Sequence, residues 1–245
     1  RGAYDLYQPN AEHALSDQTR QLIKQKDSFH FNQCQRRFAL SHTVADRLWQ
    51  YNSLKAEPLY HPPPNAEKFY SSSPQPYIFA PSRLEMLKRL DLLIEAMRYV
   101  QSSVWAIIAG VGGQYGHLKE MIDRYDLGDR VRLIGQISPE QLRAFYANCL
   151  AVYFGPEDED YGYVTLEAML AAKPVITCTD SGGPVEFISN EIEGLVVDPE
   201  PHLIADSIEH LATHQSWSIA LGKNGQMKYE ALGLSWQRVV TALLA

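Results

Sequence analysis

The chain is short of cysteine, short of net positive charge and without any long apolar run, and each shortage closes off a class of protein. Only three cysteines occur in 245 residues, Cys34, Cys149 and Cys178. They lie far apart, and Cys149 and Cys178 sit in apolar, strand-like surroundings, so they read as buried free thiols in a reducing compartment. Neither a disulfide framework nor a metal site is expected from them. A net charge of −7 and a pI near 5.6 argue against a nucleic-acid surface, which needs a basic face to neutralise phosphates. No apolar run approaches the ~20 residues of a membrane span and no signal peptide opens the chain. A cytoplasmic location is the expectation, with peripheral membrane contact left open. The phosphate loop G-x-x-x-x-G-K-[ST], the G-x-S-x-G elbow and any Cys/His pairing are also missing. His210 and His214 would share a helix face, but without H-E-x-x-H or a third ligand they are expected at the surface. The start, Arg1-Gly2-Ala3-Tyr4-Asp5-Leu6-Tyr7, carries no initiator methionine and is expected to come from the middle of a longer protein.

What is present is enough for a core. Hydrophobic residues make up 45% of the chain, which suits one large domain or two small ones. Residues 1–38 have a helical pattern, with Leu15, Leu22, Ile23 and Phe29 on one face, followed by a strand-like piece at Phe38–Ser41 and a helix capped by Ser41 or Thr43. Five prolines and a serine run between His61 and Pro76 predict a linker without regular structure. From Tyr77 onward strands and helices alternate regularly. Strands are expected at Tyr77–Pro81, Val104–Ala109, Val131–Ile134, Leu150–Phe154, Pro174–Cys178 and Gly194–Val197. Helices are expected at Arg89–Val100, His117–Tyr125, Pro139–Ala147, Tyr163–Ala172, Leu203–His214, Trp217–Leu232 and Trp236–Leu244. The strand runs are apolar without alternation, so both faces are covered. That predicts an α/β fold around a parallel, doubly wound sheet, whose ligands bind beyond the carboxyl ends of the strands.

At that edge one stretch dominates. After the apolar run Leu150–Phe154 and a break at Gly155-Pro156 come Glu157, Asp158, Glu159 and Asp160, then Gly162 and the helix start Tyr163-Val164-Thr165. A helix N-terminus attracts phosphate through its unpaired amides and dipole. Four carboxylates beside it suit something that also bears hydroxyls, and a sugar nucleotide has both; simple capping of the helix by the acidic residues is the plainer alternative. Arg83, leaving the end of the first strand, and Lys88 offer a fork and a point charge for a diphosphate. Arg89 reads as an ordinary solvated helix charge. Gly110-Val111-Gly112-Gly113-Gln114-Tyr115-Gly116 invites a dinucleotide reading but puts Tyr115 where the third fingerprint glycine belongs, and no acidic residue ends the next strand. These glycines read as a tight turn with close approach of backbone to a ligand, or simply as a loop. Gly182-Gly183 forms a further turn at the same edge.

Taken in order, Ser82-Arg83-Leu84 with Lys88, Leu92–Ala96, Ala109-Gly110, Val131–Gly135, Glu159 with Glu167-Ala168-Met169, Lys173–Ile176, Gly182-Gly183 with Glu186, and Glu193–Val196 resemble the donor half of retaining family 4 glycosyltransferases. The resemblance covers about residues 77–215. It implies the GT-B architecture of two facing Rossmann-like domains. Residues 1–64 would then be the end of the N-terminal acceptor domain, 65–76 a linker, 77–232 the donor-binding domain, and 233–245 a helix packing back on the N-terminal domain. It implies a retaining hexosyltransferase of polysaccharide-biosynthesis type, moving a sugar from a nucleotide-sugar donor, GDP-mannose or a UDP-sugar, to a saccharide or lipid-linked acceptor. No metal or cofactor is expected, no nucleic-acid partner, and any membrane contact would be peripheral, through the absent domain. Carried over, Arg83 and Lys88 would bind the diphosphate, Glu159 the sugar hydroxyls and Glu167 the ribose diol. Gly162 and the amides of Tyr163, Val164 and Thr165 would take phosphate, Gly110 would line the donor site, and Ile134-Gly135-Gln136 would border the base. Glu159, Arg83 and Lys88 are the expected catalytic residues. Asp160-Tyr161 stands where family members commonly have Gly-Phe, which adds a charge beside the sugar. The alternative expectation is a nucleotide-sugar-binding module that catalyses nothing without the acceptor domain.

Overall fold

The computed structural model describes residues 14–245, and the chain divides into two units, residues 1–60 and 61–245. Residues 1–13 lie outside the described residues, and with them the expected start of the first helix and the Arg1–Tyr7 segment.

The first unit contains α1 (Ala14–Gln33), β1 (Phe38–Ala39), α2 (His42–Asn52) and β2 (Glu57–Pro58). The helix expected to run to residue 38 ends at Gln33. There the Arg37 guanidinium gathers the carbonyls of Phe31, Cys34 and Lys55 and turns the chain. Ser41 caps α2 as expected, its hydroxyl accepting from the Val44 amide at 3.1 Å. Strand β2 was not anticipated: it is two residues long, contains a proline, and joins β1 in parallel through Glu57 N–H to Arg37 O and Leu59 N–H to Ala39 O. Leu22, Ile23 and Phe29 are exposed.

The second unit continues with β3 (Tyr77–Pro81), α3 (Leu90–Ala96), β4 (Trp105–Ala109), α4 (Tyr115–Arg124), β5 (Val131–Gly135), α5 (Pro139–Asn148), β6 (Ala151–Tyr153), α6 (Tyr163–Leu170), β7 (Val175–Cys178), α7 (Pro184–Phe187), β8 (Gly194–Val197), α8 (Pro201–Thr213), α9 (Gln215–Leu232) and α10 (Trp236–Leu244). Its six strands are all parallel, in the order β5-β4-β3-β6-β7-β8. This is the doubly wound arrangement that the alternating runs predict. Ile78, Phe79, Val152 and Ile176 are wholly buried, because helices cover both faces of the sheet. The chain starts in the middle at β3, winds out through β4 and β5, and returns to β6 beside β3 before winding the other way. The loops after β3 and β6 therefore diverge, and the crevice between them is where such sheets take ligands.

Two stretches depart from expectation. The helix predicted from Arg89 to Val100 is preceded by a single 3₁₀ turn, Met86–Lys88, and Arg89 itself adopts φ 47°, so α3 begins only at Leu90 and ends at Ala96. The proline-rich segment is not free of regular structure or of ties. It holds a 3₁₀ turn at Ala66–Lys68. Ser72 N–H donates to Ala147 O at 3.0 Å, Gln75 N–H to Asn148 O at 2.7 Å, and the Lys173 ammonium to Ser72 O at 2.8 Å. Cys149 and Cys178 are buried free thiols, and burial pushes the first up to about 12 and the second to about 11, so both stay protonated. Cys34 is free but exposed. No helix among the described residues is long and apolar enough to cross a membrane.

Candidate functional site

The acidic loop between β6 and α6 is held on both sides by backbone. Glu157 N–H donates to Leu87 O in the β3–α3 loop at 2.8 Å. Asp158 N–H donates to Asp180 O at 3.0 Å and Glu159 N–H to Ser181 O at 2.9 Å, while Gly183 N–H returns to Glu159 O at 2.8 Å. Glu159 and Gly182 form a parallel bridge, so the loops after β6 and β7 extend the sheet beyond its edge. Gly182 makes this possible. It sits at φ +71°, and a Cβ there would stand 2.6 Å from the Glu159 carbonyl oxygen.

This scaffold brings the Glu159 carboxylate against the Lys88 ammonium in an ion pair whose side chains are 19% and 12% exposed. The sequence assigns the two residues to different parts of a ligand, and the structure makes them partners of each other. Lys88 also lies 5.7 Å from the centre of the Phe154 ring.

Arg89 is not a solvated helix charge. Its left-handed backbone swings the guanidinium inward to donate to Gly155 O at 2.8 Å, Pro156 O at 2.8 Å and both carboxylate oxygens of Asp180, at 2.5 and 2.8 Å. Burial is the largest single influence and opposes its charge, but the bond to Asp180 together with the electrostatic effects of Cys178, Asp180 and Tyr153 outweighs it, and its pKa is raised. Tyr153 in turn donates its hydroxyl to Arg89 O at 3.1 Å. One arginine thus ties the loops after β3, β6 and β7 together.

Arg83 is placed elsewhere at the same edge. It is exposed and lines an open cleft of about 410 Å³ with Gly110, Gln136, Ile137, Pro139 and Leu142, a lining that includes neither Lys88 nor Glu159. Ile134 and Gly135 end β5 just before this lining, and the Gly135 carbonyl accepts the Gly110 amide at 2.8 Å. The glycine at 110 serves a backbone neighbour: at φ +141°, a Cβ would fall 1.8 Å from Ser82 O. The close approach expected of this loop is therefore already made by the chain itself.

At the start of α6, Gly162 takes φ 80° as the N-cap and offers no side chain. Thr165 N–H donates to Gly162 O at 3.0 Å, which leaves the amides of Tyr163 and Val164 without a partner among the described residues. The Thr165 hydroxyl is buried without a partner among the described residues. One turn further, Glu167 accepts the Tyr146 hydroxyl at 2.7 Å. Burial raises the pKa of Glu167, and the Tyr146 bond only partly offsets this.

Sequence reasoning passed over His61. Its amide donates to Tyr161 Oη at 3.0 Å, its carbonyl accepts from the same hydroxyl at 2.6 Å, and its Nδ1 lies 2.8 Å from Tyr163 Oη. Trp236 of α10 stacks on its ring at 5.4 Å and 13°. Only its position, just ahead of three prolines, marked it in the sequence. His210 and His214 stack on each other at 4.3 Å on α8 and its C-cap, away from these loops in the chain.

The family model for glycosyl transferases group 1 matches residues 64–228. Alpha-1,3/1,6-mannosyltransferase ALG2 of Homo sapiens is 29% identical over 234 residues, 84% of this chain and 54% of that protein. The chain spans about half the length of that relative. Sucrose-phosphate synthase from Thermosynechococcus elongatus superposes with a TM-score of 0.82 at 23% identity, over 99% of this chain and 64% of its own. Anabaena Alr3699/HepE in complex with UDP and glucose gives 0.75 at 21%, over 85% of this chain and 62% of its own.

Proposed function

The chain belongs to the glycosyl transferases group 1 family, and from that premise we propose that it forms the donor side of a retaining hexosyltransferase acting on a nucleotide sugar. The observation that carries this reading is the meeting of Lys88 and Glu159 at the sheet's switch point, beside the open end of α6. Lys88 and the amides of Tyr163 and Val164 take the diphosphate, and Glu159, released from Lys88, accepts the sugar hydroxyls. Arg83 reaches the diphosphate from the cleft that receives the base, and Glu167 binds the ribose diol.

The bond broken joins the anomeric carbon to phosphate, so the barrier falls as negative charge on the leaving diphosphate is stabilised. These cationic and amide groups supply the opposing positive charge, and no metal enters the reading. Retention then follows from attack on the face the diphosphate leaves, with the departing phosphate taking the acceptor's proton. The ALG2 relative favours a mannosyl donor such as GDP-mannose, and the HepE complex a UDP-sugar. The acceptor is a saccharide or a lipid-linked one, met at a cytoplasmic site. Because the chain spans only about half of ALG2, a second reading has it bind donor without transferring it.

Thermal shift with UDP-glucose, GDP-mannose, UDP and GDP tests the site. We expect one pair to raise the midpoint by several degrees at concentrations about 100-fold over Kd, as ligand linkage requires, and Arg83→Ala to lose most of the rise. No stabilisation by any of the four, or equal stabilisation of Arg83→Ala, overturns the assignment.

A further inference from the structure

The acidic loop has one anchor that the chemistry above does not use. Glu159 lies between two fixed points. On one side its backbone pairs with Ser181 and Gly183. On the other, two residues on, the Tyr161 hydroxyl both accepts from the His61 amide and donates to the His61 carbonyl. Tyr161 is 5% exposed, and its ring rests against Phe187 at 5.6 Å and His61 at 4.6 Å. Filling that space needs only the ring. A hydroxyl that spends its donor and its acceptor on one residue's main chain fixes that residue as a strand neighbour would. Across Gly162, Tyr163 adds a third bond, hydroxyl to His61 Nδ1. The flexible glycine at the helix cap is therefore bracketed by two tyrosines that grip the same histidine.

The grip matters at one moment. In the structure Lys88 holds the Glu159 carboxylate. A diphosphate that takes Lys88 removes that hold, and only the backbone then keeps Glu159 facing the sugar. We infer that His61 is a positioning residue, clamped by Tyr161 and Tyr163, that keeps Glu159 in place when the donor displaces its lysine. This rests on the reading of Glu159 as the sugar-binding group. The clamp would govern recognition of the transferred sugar and leave recognition of the nucleotide alone.

Tyr161→Phe isolates the hydroxyl, because phenylalanine keeps the ring against Phe187. Calorimetry on the whole chain would compare UDP-glucose with UDP and GDP-mannose with GDP, and hydrogen exchange would follow the amides of residues 61, 157–165 and 183. We expect the variant to hold the bare diphosphate within about twofold while binding the sugar-bearing donor about tenfold more weakly, the size of a lost hydrogen bond's influence. The Glu159 and Gly183 amides should exchange about tenfold faster. Equal weakening of donor and bare diphosphate, or faster exchange confined to His61 itself, overturns the inference. If the parent chain binds none of the four nucleotides, the donor-site reading falls, and the exchange comparison still decides whether the clamp holds the loop.

Discussion

At the scale of single residues, the site is a set of charges held where they are costly. Glu167 is the clearest case: no cation pairs with it among the described residues, its pKa is raised by burial, and a single tyrosine hydroxyl partly compensates. A carboxyl whose folded pKa lies above its unfolded value binds more protons in the folded state. Its stabilising contribution is complete below the ordinary value of 4.5 and is lost as pH rises through the folded pKa. Where the pH lies above its folded pKa, the protein carries that charge at a loss. Glu167→Gln keeps an oxygen for Tyr146 and removes the charge, so we expect its thermal midpoint to rise by about 2–4 °C at a pH where the parent carboxyl is ionised, with the gain vanishing below the pH at which that carboxyl is protonated. Donor affinity should fall by about tenfold, since an amide is a weaker acceptor for a diol. A lower midpoint at neutral pH would show that the carboxylate is structural. Arg89 gives the reverse lesson. In the sequence it is one cation in the run Lys88-Arg89, and nothing local distinguishes it from its neighbour. Its φ of 47° and its bonds to Gly155, Pro156 and Asp180 come from residues 66 to 91 positions away.

At the scale of elements, the glycines separate by what surrounds them. Gly182 faces the Glu159 backbone, whereas Gly113 has open space where a Cβ would go. Gly182→Ala forces a left-handed alanine into a carbonyl, and the relief is to part the loops after β6 and β7. We expect a loss of about 2–3 kcal/mol in chemical denaturation together with loss of donor-induced stabilisation, against a change within about 0.5 kcal/mol for Gly113→Ala. A Gly182→Ala protein that binds donor normally would show that the bridge does not shape the site. The strands were legible from the chain because apolar runs covered on both faces need no alternation, and β8 begins and ends where its run does. The start of α3 was not legible. A 3₁₀ turn and a left-handed arginine precede it, and both answer to the loops across the switch point. The two-residue strand β2 escaped for another reason: it is too short to carry any periodicity.

At the scale of the molecule, two units of unequal size share the chain, and the second holds the sheet, its edge loops and the clamp. The chain spans about half the length of ALG2. We expect it to bind a nucleotide sugar and, by intact-mass spectrometry after incubation with donor, to show no glycosyl adduct on Glu159. Glu159→Gln should weaken sugar selectivity without trapping one either. A covalent sugar on Glu159 would sink the same-face mechanism.

The sequence alone determined the α/β class, the parallel winding, and which loops crowd the carboxyl edge, because periodicity, glycine breaks and cap residues act within a few positions of themselves. It also offered Lys88 through its place after the first strand of the parallel sheet, and Glu159 and Glu167 through the resemblance of their motif to a known family. Tertiary structure decided what those residues touch. Lys88 found Glu159, Glu167 found Tyr146, Arg89 found Asp180, and His61 found two tyrosines 100 and 102 residues away. A hydrogen bond or ion pair between such positions depends on how the sheet folds the chain back on itself. No stretch of sequence near either partner carries that information.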